Sequence, residues 1–169
     1  MGQVIRLPVP RPPGPSGTAV LDSAEATLLL GLRWWVADWR QGADPLPRLC
    51  RAMEIAGAPD AAFSLDRLMG VVARTARRAI GVHRPRCPLV AEDEAILLEA
   101  ACHAQAGDSA LAERVLCRAL LSAAGAACAL DPLEGLGDLF AQVRLLFTRR
   151  PAAAVPEAWA PDGPAGLPR

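Results

Sequence analysis

The chain contains no lysine, no tyrosine and no asparagine, and all 18 of its basic residues are arginine. The missing types are those with A/T-rich codons. The pattern predicts a G/C-rich, bacterial genome, so the number of arginines says little and their positions carry what information there is. Eighteen acidic residues bring the formal net charge to zero, which excludes a globally basic nucleic-acid binder and a polyacidic tail. Without lysine there is no G-x-x-x-x-G-K loop, and nucleotide hydrolysis by that route is excluded. None of Ser16, Ser23, Ser64, Ser109 and Ser122 stands in a G-x-S-x-G elbow, and His83 and His103 are the only histidines that could serve as base.

Long apolar runs are missing too. The longest charge-free apolar stretch covers residues 119–130, is built mostly of small side chains, and falls short of the roughly 20 residues needed to span a bilayer. Residues 1–20 are broken by Pro8, Pro10, Pro12, Pro13 and Pro15 and lack the continuous apolar segment of an export signal. Arg6 stands where a myristoylation signal beginning at Gly2 takes Ser or Thr. No C-x-x-C pair occurs among Cys50, Cys87, Cys102, Cys117 and Cys128, and an odd count without close pairs predicts free thiols. These features predict a cytoplasmic protein with no cofactor and no membrane association.

What is present is a hydrophobic content of 52% in 169 residues, enough for one ordinary core. Ten of the 16 prolines fall outside residues 22–150. That distribution predicts Pro-rich disordered tails over 1–21 and 151–169 around one domain. Between them apolar residues recur at helical spacing without alternating β-branched runs, which predicts an all-α bundle of about six helices. A first helix over 23–41, capped by Asp22 or Ser23, carries a stripe of Leu28, Leu32, Trp35 and Trp39. A second follows Asp44 and Pro45 and ends near Gly57. A third, over 60–80, sets Leu65, Leu68, Met69, Val72, Ala76, Ala79 and Ile80 against an opposite side bearing Arg67, Arg74 and Arg78. A connector over 82–90 leads to helices over 91–106 and 109–124, and Gly107 with Asp108 makes these two a tight antiparallel hairpin. The last helix is expected to begin at Asp131 and Pro132, with Glu134 completing a capping box.

In Ala100, Gly107, Asp108, Ala112, Leu116 and Ala119 the hairpin resembles a single repeat of the tetratricopeptide type. No second copy follows at a fixed period, so the likeness implies a bundle containing one such hairpin rather than a repeat array.

The candidate functional residues lie in three places. The connector carries His83 and Cys87 four residues apart, stiffened by Pro85 and Pro88, and these two are the best metal or redox-thiol candidates. A metal would draw its further ligands from Cys102, His103, Glu92 or Glu99. Trp34, Trp35 and Trp39 put three large aromatics in six residues. Trp34, about 100° off the core stripe, is the one free to meet a partner. Residues 67–86 hold six arginines and no acid, whereas residues 87–113 hold six acids and no arginine. Either helices three and four lie side by side and neutralise one another, or Arg74, Arg77 and Arg78 form a basic surface for a protein partner with an acidic face. No DNA-reading motif is present, so a protein partner is expected rather than a nucleic acid. The reading that results is a non-enzymatic interaction or regulatory module, with a metal or thiol protein centred on His83 and Cys87 as the alternative.

Overall fold

The computed structural model describes residues 17–148. The expected tails, 1–21 and 151–169, lie outside them except for residues 17–21. A short 3-10 turn (Thr18–Val20) precedes six α-helices: α1 (Ser23–Arg40), α2 (Leu46–Ile55), α3 (Ala61–Thr75), α4 (Glu92–Gln105), α5 (Ser109–Ala119) and α6 (Ala123–Gln142). The all-helical class and the single tight hairpin are as the sequence predicts. α6 packs on α3, α4 and α5, α2 packs on α3 and α1, and α1 also touches α3 and α4. One core of leucines, alanines, Met53, Met69, Trp35 and Phe140 runs through the whole bundle.

Local chemistry explains most helix ends. Asp22 Oδ1 accepts from the Glu25 N–H at 2.7 Å while Glu25 accepts from the Asp22 N–H at 2.9 Å, a reciprocal cap that starts α1. Asp108 caps α5 through the Leu111 N–H. Just before it, Gly107 adopts φ +78°, which residues bearing a Cβ rarely do, and this lets α4 reverse into α5 within three residues. Gly31 brings α1 close to its neighbours: a Cβ there would sit 2.5 Å from Leu65 Cδ2 and 3.0 Å from Met53 Cε.

Three boundaries differ from expectation, and all meet at one place. α3 stops at Thr75 instead of continuing to residue 80. The Thr75 hydroxyl bonds back to the Val71 carbonyl at 2.8 Å, Ala76 turns extended, and the Arg77 N–H reaches the Leu120 carbonyl at 2.9 Å. α5 stops at Ala119, because Leu120 and Leu121 are both fully buried and the chain must turn inward there. Ala76 and Leu121 form an isolated antiparallel bridge, and the Ser122 N–H donates to the Thr75 carbonyl. Ser122 then caps α6, nine residues ahead of the expected start.

The helix therefore runs straight through Pro132. This is tolerated because the carbonyl that loses its partner, on Cys128, belongs to an exposed residue that water can serve. The expected cap and box residues do other work: Asp131 pairs with Arg67 at 3.0 Å, and Glu134 accepts from the Ser109 hydroxyl. The tail boundary also moves. Residues 17–21 are fastened to the connector, with the Thr18 N–H on the Pro88 carbonyl at 2.8 Å and Gly17 bridged to Leu89.

Candidate functional site

The feature that organises the connector is Arg33, which lies on the inward side of α1 and is 2% exposed. Its Nε and Nη2 donate to the two oxygens of Glu94, each at 2.8 Å. Nη1 donates to the Cys87 carbonyl at 2.7 Å, and Nη2 also reaches the Leu89 carbonyl. Glu94, in the first turn of α4 and wholly buried, accepts in addition from the backbone N–H groups of Ala91 at 2.8 Å and His83 at 2.9 Å. One ion pair thus satisfies four backbone groups of a segment that has no helix or strand of its own to satisfy them. Burial pushes the Glu94 carboxyl up, but the Arg33 hydrogen bonds, the two backbone N–H groups and the Arg33 charge together outweigh it and hold the group below its ordinary range.

Beside it, Asp93 receives two hydrogen bonds from Arg78, at 2.8 and 2.6 Å, and one from the Gly81 N–H at 2.7 Å. The Arg78 hydrogen bond is the largest influence and lowers the Asp93 carboxyl. Desolvation opposes it, and the Gly81 N–H and the Arg78 charge add to the lowering. The same contact raises Arg78. The basic and acidic runs therefore meet through the connector, not along two facing helices: α3 packs on α2 and α6, and α4 on α5 and α6.

The pinned connector forms one wall of a groove of about 330 Å³. The other walls come from the turn before α1 and from α1 itself, with Leu21, Leu29 and Leu30 facing Pro85, Cys87 and Pro88. Arg33 reaches the lining with its nitrogens already engaged, and Arg86 stands exposed at the lip. His83 and Cys87 are both half-buried, and the hydrogen bonds found at these two residues are made by their backbone groups. Among the described residues no three His, Cys, Asp or Glu side chains gather as metal ligands. Glu99 and His103 meet across one turn of α4, with Nε2 3.8 Å from the carboxylate.

Comparison with protein-family models, curated proteins and solved structures finds no match.

The tryptophans divide differently from expectation. Trp35 is buried and its indole N–H donates to Asp66 at 2.7 Å. Trp39, expected on the core stripe, is 58% exposed and stacks on Trp35 with centroids 4.9 Å apart and planes within 13°. The inward position near the end of α1 is taken instead by Asp38, which is buried and paired with Arg48. Trp34 is half-buried.

The three arginines also part company. Arg74 is exposed in the last turn of α3 and lies back over Gly70. Arg77 and Arg78 lie past the helix end, so the three do not share one outer face. Arg77 donates to the carbonyls of Cys117 and Arg118 and closes the C-terminus of α5. Arg78 holds Asp93.

Arg33 and Glu94 are not among the residues singled out from the sequence. The signal for Arg33 was its place on α1, four residues past Leu29 and one past Leu32, where a charge on the apolar side demands a buried counter-charge. For Glu94 it was the third position of α4, where a carboxylate reaches back to the N-cap N–H.

Proposed function

We propose that the chain is a non-enzymatic helical interaction module that presents an ordered aromatic anchor and exposed arginine to a protein partner with an acidic face. The observation that carries this reading is Trp39. An indole that is 58% exposed yet stacked on a second tryptophan, which is itself held by Asp66, loses little side-chain freedom when a partner covers it. Trp34 on the same helix and Arg74 in the last turn of α3 supply the residue types enriched at interface hot spots. A cytoplasmic setting fits the five free cysteines. Within the described residues no helix is long and apolar enough to cross a membrane.

The test is affinity capture from extract of the native host at low and high salt, comparing the parent chain with Trp39→Ala and with Trp34→Ala/Arg74→Glu. Any captured protein is then rebound in isolation. The reading requires a partner that the variants lose while they still unfold cooperatively with native helical content, and whose binding weakens with salt. Equal capture by parent and variants rejects this surface. Stoichiometric zinc or iron in protein purified without an affinity tag would favour instead the alternative centred on His83 and Cys87.

A further inference from the structure

We infer that the groove beside the connector is the docking site for the chain's own C-terminal segment 157–162, with the Trp159 indole as its buried anchor. The inference is independent of the Trp39 surface, and three observations converge on it.

The first is where the chain leaves the bundle. The Thr148 N–H donates to Asp22 Oδ2 at 2.6 Å. Asp22 directly follows Leu21 and lies one helical turn before Ala26, and both of those residues line the groove. The last described residue therefore lies beside the turn that supplies Leu21 to the groove. Trp159 is eleven residues further on, a reach of up to about 36 Å when extended, so the distance is spanned with slack.

The second is shape and polarity. The walls are mostly apolar, with Thr18, Arg33 and Arg86 among them, and include Pro85 and Pro88, flat partners for an aromatic face, and a volume of about 330 Å³ suits one large side chain rather than a helix. Of the four tryptophans, Trp34, Trp35 and Trp39 belong to α1, and Trp159 alone lies beyond residue 148.

The third is charge. Trp159 is bracketed by Glu157 and Asp162, the only acids in residues 149–169. The groove wall at Pro85 is bracketed by Arg84 and Arg86, both exposed. Arg33 cannot take this role because Glu94 and two carbonyls already occupy its guanidinium. Pro156 and Pro161 limit the freedom that the segment loses on docking.

A tethered segment of this length acts at an effective concentration on the order of 1 mM, so even a site of about 100 μM intrinsic affinity would be filled roughly ten to one. Cys87 lines the groove and reports its occupancy. In the full reduced chain, alkylation of Cys87 followed by mass spectrometry is expected to quicken about tenfold on Trp159→Ala. Glu157→Arg/Asp162→Arg should give a smaller increase, and the protection that remains should be less sensitive to salt than in the parent. A synthetic peptide of residues 153–165 added to the Trp159→Ala chain should restore protection saturably, and protection in the parent should not change with protein concentration. An unchanged Cys87 rate in a Trp159→Ala chain that keeps its helical circular dichroism overturns the inference. So does protection that fades on dilution as a dimer dissociates, which would assign the groove to a second copy, and so does release of Cys87 by deleting residues 1–16 instead.

Discussion

A buried ion pair gains Coulomb energy and loses hydration, and in many proteins the two nearly cancel, so that an apolar pair of similar volume does as well. Arg33 and Glu94 differ because each also serves the backbone of the connector. Glu94→Ala leaves the Arg33 charge buried and unpaired, and is expected to cost about 3–5 kcal/mol in denaturant unfolding. The double variant Arg33→Met/Glu94→Leu removes both charges but orphans the carbonyls of Cys87 and Leu89 and the N–H groups of His83 and Ala91, at about 1–3 kcal/mol for each that water does not reach. It should therefore stay well below the parent in stability. A double variant as stable as the parent would mean that water replaces all four bonds. The carboxylates also set a pH dependence. Asp93 and Glu94 are both lowered from ordinary values of 3.8 and 4.5, so at acid pH the unfolded chain binds more protons than the folded one. Their stabilisation is complete above the unfolded values and is lost as pH falls through the lowered folded ones. The melting temperature should hold at neutral pH and fall progressively below about pH 4.5, and Asp93→Asn should flatten part of that fall.

Arg74, Arg77 and Arg78 were indistinguishable as a basic run, and the end of α3 separates them. Arg74→Glu changes an exposed side chain and should leave the melting temperature within about a degree of the parent. Arg77→Glu/Arg78→Glu turns the α5 cap into a repulsive charge beside two carbonyls and puts an acid against Asp93, so a clear fall is expected. Equal melting curves for the two variants would mean that the contacts of Arg77 and Arg78 contribute nothing. Helix ends written in local chemistry were legible from sequence: the Asp22 and Asp108 caps and the Gly107 reversal need only neighbouring residues. The junction of α3, α5 and α6 was not. The run from Ser109 to Gln142 contains no residue that forces a break at Leu120, and its strongest local stop, Asp131 with Pro132, is overridden. What ends α5 is the burial of Leu120 and Leu121 against the end of α3, a contact between residues some 45 positions apart. Close approach was equally hidden. Nothing in the local sequence marks Gly31, yet Gly31→Ala forces a methyl into Leu65 and should cost about 1–3 kcal/mol, readable as a lower denaturation midpoint with an unchanged slope.

The C-terminal end of the bundle is tied to the start of α1 and the N-terminal end to the connector, and this decides which trimmed chains fold well. After α6, Arg144 takes φ +60° and turns the chain back. Gln105 then secures the return by donating to the Gly137 and Leu145 carbonyls and accepting from the Phe147 N–H. Phe147 is buried against Phe140, with ring centroids 5.9 Å apart, and Thr148 reaches Asp22. At the other end, Thr18 holds Pro88. Residues 17–148 are therefore expected to unfold in one cooperative transition. A chain cut to 22–142 loses the burial of one phenylalanine, about 1.5–3 kcal/mol, and the hydrogen bonds of Thr148, Thr18 and of Gln105 with Leu145 and Phe147, at about 0.5–1.5 kcal/mol each. For a chain of this size the sum corresponds to a drop on the order of 10 °C in melting temperature. Calorimetry on the two lengths separates the terminal contacts from the helices: equal midpoints would make the six helices self-sufficient and the returning strap ornamental. Removing only residues 149–169 should expose Cys87 and lower the midpoint by only a few degrees, because a native-state site filled roughly ten to one contributes about 1.4 kcal/mol.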